Sequence, residues 1–66
     1  MNLEHYYHLI GQKVRKISKK PFKSQLRVAT IKGVISHPIL GVACFTFLED
    51  DSYVECRRLR ILFNEQ

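Results

Sequence analysis

The chain holds only two cysteines, Cys44 and Cys56, with no CxxC pair and no second close pair of histidines beside His5 and His8. That scarcity excludes the common zinc ligand sets, because two histidines three residues apart supply half a site, so no metal is expected. The three glycines are scattered and form no phosphate-cradling loop. No charged segment leads into a long apolar run, so neither a signal peptide nor a membrane span is encoded and the expected setting is a reducing cytoplasm. Acid is missing over the longest distance: no Asp or Glu occurs between His5 and Leu48.

What fills that interval is positive charge. Lys13, Arg15, Lys16, Lys19, Lys20, Lys23, Arg27 and Lys32 all lie in it, within a chain of net charge +5. Most of the acid is gathered at Glu49, Asp50, Asp51 and Glu55, followed at once by Arg57, Arg58 and Arg60. With 66 residues, 45% hydrophobic and 11% aromatic, the chain has enough apolar surface for one packed core and no room for a second. We expect a single domain over 1–66: a helix at 2–10, a β-barrel at 11–63 and a tail at 64–66.

Leu3, Tyr6, Tyr7 and Ile10 recur at spacings of three and four, which predicts a short helix with Asn2 as N-cap and Gly11 as stop. Such a helix is too short to stand alone in water, so its apolar stripe is expected to lie over the core. Val14 and Ile17 break a strict period of two in the first strand, which suggests a bulge or bend. A long loop with Pro21 follows, and the β-branched run of 27–36 is interrupted at Gly33, where a strand can bend. His37-Pro38 through Gly41 reads as a turn.

The runs 42–49 and 52–57 form a hairpin around Asp50-Asp51. Setting Phe47 opposite Val54 and Phe45 opposite Cys56 gathers four apolar residues on one face, while Leu48 meets Tyr53 on the other. A shift by one would drive Glu55 into the core, so the first register is preferred, and it parts the two cysteines and predicts no disulfide. Beyond Cys56 the inward phase moves to Leu59, Ile61 and Phe63, which requires a bulge or 3₁₀ turn near Arg57-Arg58. The expected strands are 12–18, 27–36, 42–49, 52–57 and 59–63.

This plan of five short antiparallel strands, a long first loop, a tight later hairpin and a kink before the last strand resembles the SH3-like barrels, including the KOW and Tudor types. The resemblance implies a mainly β, five-stranded antiparallel SH3-like barrel with a short N-terminal helix. The KOW glycine signature is missing, and no Tudor aromatic cage is assignable. Oligonucleotide-binding barrels usually have longer strands. The stretch PFKSQLRVATIKGVISHP together with FTFLEDDSYVEC is also similar to small uncharacterised phage or prophage proteins, which implies no activity.

For function, the sequence points to a binding module. No cofactor is implied. Asp50 and Asp51 read as turn formers rather than paired catalytic carboxylates, and neither cysteine has a histidine placed to activate it. The leading expectation is nucleic-acid binding by phosphate contact, through Lys13, Arg15, Lys16, Lys19, Lys20, Lys23, Arg27, Arg57, Arg58 and Arg60. Phe22 in the same loop would either stack a base or fold back to plug the barrel end. The three arginines would either grip phosphate from a strand end or pair with the neighbouring acids. The alternative is a protein-interaction module that binds an acidic or apolar partner surface, with Leu48 and Tyr53 as apolar anchors on an exposed groove or edge strand and the basic loop meeting the acidic partner.

Overall fold

The β-branched and alternating segments become five antiparallel strands in a computed structural model that describes residues 3–65. They are β1 (Lys13–Lys16), β2 (Val28–Ser36), β3 (Ala43–Phe47), β4 (Tyr53–Glu55) and β5 (Phe63–Glu65), arranged in one sheet in the order β4-β3-β2-β1-β5. The long β2 joins the two halves. Its first part pairs with β1 (Val14 with Ala29) and its second with β3 (Val34 with Phe45). Between them the register shifts from Ile31 to Gly33, so the bend expected at Gly33 is a bulge, with Lys32 exposed at it.

Val14, Ala29, Ile31, Phe45, Phe47 and Val54 point to one face and form the core with Leu59 and Phe63. The N-terminal helix covers one side of this core, but it is a 3₁₀ helix over Leu3–Leu9. With three residues per turn its inward stripe is Leu3, Tyr6 and Leu9. Tyr7 and Ile10, expected on that stripe from an α-helical period, are exposed instead. Tyr6 meets Phe45 edge-on at 5.8 Å. Gly11 turns the chain into β1 at a φ of +91°, a conformation that favours glycine. The N-cap expected at Asn2 lies outside the described residues.

The hairpin register needs correction. Phe45 pairs with Val54, Thr46 with Tyr53 and Cys44 with Glu55, two residues away from the expected pairing. A shift of two leaves every side chain on its face, so Phe45, Phe47, Val54 and Cys56 are buried together as expected. The loop therefore spans 48–52 rather than two aspartates, and this longer path lets Asp50 turn back toward the first loop. Both cysteines are free thiols.

The kink after Cys56 is a 3₁₀ turn over Cys56–Arg58, but it runs into a single α turn, Leu59–Leu62, where a strand was expected. The helical turn buries Leu59 and leaves Ile61, predicted to be in the core, 69% exposed. The last strand follows at Phe63–Glu65, so residues 64 and 65 are not a tail: Asn64 pairs with Arg15 and Glu65 with Val14. The sheet is not closed. With 56–62 helical, β4 and β5 are three residues each and stand at opposite edges, which leaves little backbone for the closing ladder of the expected barrel.

Candidate nucleic-acid interface

The loop of 17–27 carries four of the ten candidate cations, and it is held from beneath. Phe22 is 5% exposed, with its ring 5.1 Å from that of Phe47 and 4.9 Å from that of Phe63. This argues against base stacking, because a ring this deeply buried, with the Lys16 ammonium over it, leaves little surface for a base. The loop is pinned a second time at Ser24, whose N–H and hydroxyl both donate to the Asp50 carboxylate, at 3.0 and 2.8 Å. Ser24 Oγ also accepts from the N–H of Leu26, closing a small local turn.

On this base Lys16, Lys19, Lys23 and Arg27 line one hollow, together with polar and apolar loop residues and no acid. The Lys16 ammonium sits 5.4 Å from the centre of the Phe22 ring, a cation–π contact that holds the lysine over its buried neighbour. Lys13 and Arg15 are exposed on the adjacent β1. The other candidates are dispersed. Lys20 turns to a second hollow, shared with Arg58, while Arg57 and Arg60 line a third beside His5 and His8. The arginines thus leave a helical segment rather than a strand end, and Arg57 donates to Glu55 at 2.8 Å.

Two acids of the β3–β4 loop, Glu49 and Asp50, are committed to the fold. Glu49 accepts from the N–H and hydroxyl of Thr30 at 2.7 and 3.0 Å, and the Thr30 N–H is the main reason its carboxyl is held below the usual range. At Asp50, 6% exposed, burial pushes the carboxyl up, but this is outweighed by the N–H groups of Ser24 and Ser52 and the Ser24 hydroxyl. The result is a pKa of about 2. Reading Asp50 only as a turn former missed this clamp; the Asp50-x-Ser52 spacing, typical of an Asx turn, gave half of it and the distant Ser24 the other half.

His37 does more than precede a proline. Its Nδ1 accepts from the N–H of Ile39 at 3.1 Å and of Leu40 at 2.9 Å, capping the β2–β3 turn from within. Its ring also meets Tyr53 edge-on at 5.2 Å. Tyr53 is 41% exposed and Leu48 65%, but they do not face one another as expected, since Thr46 holds the position opposite Tyr53. Burial pushes the Cys56 thiol up to about 12, with Cys44 adding to it, and pushes Cys44 up as well. Neither is thereby made a nucleophile. Among the described residues no cluster of three or more His, Cys, Asp or Glu side chains is arranged to hold a metal, and no helix is long and apolar enough to cross a membrane.

No protein family's profile matches the chain, and neither curated proteins nor solved structures give a significant match, so nothing among them identifies an SH3-like or phage protein.

Proposed function

We propose that this chain is a small basic binding domain that grips nucleic acid through backbone phosphates, on an SH3-like scaffold. The observation that carries the reading is the hollow of the first loop, where Lys16, Lys19, Lys23 and Arg27 converge without an acid among them. Phosphate oxygens complement such a surface without base readout, because flexible ammonium groups act as point charges. The return of β5 to the side of β1, after a 3₁₀ turn, supports the SH3-like architecture.

The test is fluorescence anisotropy with labelled oligonucleotides of two unrelated sequences across a range of salt. Affinity should fall steeply with salt and differ little between sequences. Replacing Lys19, Lys20 and Lys23 together by Gln should lower the log–log slope by about 0.7–0.9 for each phosphate that is no longer neutralised. Absence of binding at micromolar protein, or binding indifferent to salt, would sink the reading. The protein-interaction alternative draws on the exposure of Leu48 and Tyr53 and would give a protein complex that tolerates the lysine changes.

A further inference from the structure

The second hollow differs in kind from the first. It lies where the first loop, the β2–β3 turn and β4 meet, and encloses about 440 Å³, within the ~300–1,000 Å³ typical of small-molecule sites. Lys20 and Pro21 come from the loop, His37 from the turn, Tyr53 from β4 and Arg58 from the following 3₁₀ turn. Tyr53 brings a ring that is still 41% exposed, and the edge-on contact with His37 fixes its orientation. Among the described residues neither Lys20 nor Arg58 forms an ion pair, and the acid in this lining, Glu55, is bound to Arg57 at 2.8 Å.

His37 adds a donor. Its Nδ1 lone pair is occupied by two backbone N–H groups, so the neutral imidazole carries its proton on Nε2. The hollow therefore combines a part-exposed aromatic ring, two cations and an imidazole, which together match a planar base attached to a phosphate.

The geometry points to a site for one unstacked nucleotide of a single strand, its base against Tyr53 and its phosphate held by Lys20 and Arg58. This deepens the nucleic-acid reading and rests on it. It also gives that reading a preference, because bases in a duplex are stacked and have no face to offer Tyr53.

The experiment is an NMR titration of the ¹⁵N-labelled chain with adenosine 5′-monophosphate, adenosine and inorganic phosphate separately, beside anisotropy with a single strand and its duplex. The mononucleotide should shift the signals of Tyr53, His37 and Lys20 more than either part alone. Tyr53→Ala should weaken single-strand binding roughly tenfold and spare the duplex, while Tyr53→Phe should bind as the parent does. Equal affinity for single strand and duplex, both indifferent to Tyr53→Ala but weakened by the lysine changes, would overturn the nucleotide site and leave the phosphate grip standing. Shifts reproduced by inorganic phosphate alone would likewise overturn it. Mononucleotide shifts at Tyr53 without oligonucleotide binding would overturn both, because the site is proposed for a nucleotide within a single strand. No response to any of these ligands would reject both.

Discussion

The β1–β2 loop and the β3–β4 loop are joined by the hydrogen bonds from Ser24 to Asp50, and on either side of them they treat charge in opposite ways. In the β3–β4 loop, Glu49 is bound to Thr30 and Asp50 to Ser24 and Ser52, so two of the loop's three carboxylates are spent on backbone and hydroxyl donors within the domain, while Asp51 is exposed. In the β1–β2 loop, Lys19, Lys20, Lys23 and Arg27 form no ion pair among the described residues. Acid holds the fold together; the base is presented by it. A loop that displays lysines must be ordered by something else, and here that is Phe22 below and the carboxylate of the other loop beside it.

The largest expected effect tests the anchor. Phe22→Ala removes a ring packed on Phe47 and Phe63 and should cost about 3–5 kcal/mol, as should Phe47→Ala. A domain of this size has a total stability on the order of 5 kcal/mol, so both variants should lose most of their cooperative urea transition. A Phe22→Ala protein that unfolds like the parent but binds nucleic acid poorly would reverse the comparison and return the ring to the ligand.

The next effect tests the contact between the loops. Asp50→Ala leaves the N–H groups of Ser24 and Ser52 without their acceptor and should cost about 1.5–3 kcal/mol. The carboxyl also gives the fold an acid limit. Its pKa is depressed to about 2 from an ordinary 3.8, so its stabilisation is complete above about pH 4 and is lost as pH falls through 2. The parent should lose on the order of 1–2 kcal/mol over that window relative to Asp50→Ala, whose side chain has no proton to take up. Parallel acid melts for the two proteins would mean the clamp is open in solution.

These tests bear on what could be read from the sequence. Face assignment was legible, because alternation at Phe45, Phe47, Val54 and Cys56 survives any even slip of register. Pairing was not, because loop length depended on Asp50 reaching a serine 26 residues away in the chain. The helical turn at Leu59–Leu62 was hidden for a related reason: Leu59, Ile61 and Phe63 alternate like a strand, and only packing shows Ile61 turned outward. The same holds for the binding surface. Composition identified the cations, but their division among three hollows follows from the burial of Phe22 and from the helical path of 56–62, both tertiary facts.

The smallest expected effect is the most direct test of the comparison. If the cations of the β1–β2 loop serve a ligand and not the fold, replacing Lys19, Lys20 and Lys23 together by Gln should leave stability within about 0.5 kcal/mol of the parent. The sign can also be stated. Three positive charges leave a chain whose net charge is +5, so self-repulsion in the compact state falls and the change should be slightly stabilising. Because that repulsion acts between exposed groups, the gain should shrink as salt rises and the Debye length drops below about 8 Å. Urea midpoints for parent and variant at low and high salt would measure both the size and the salt dependence. A destabilisation of more than about 1 kcal/mol, well outside the usual range for surface substitutions, would show that the lysines hold the loop in place. The division between structural acid and presented base would then fail at its basic half.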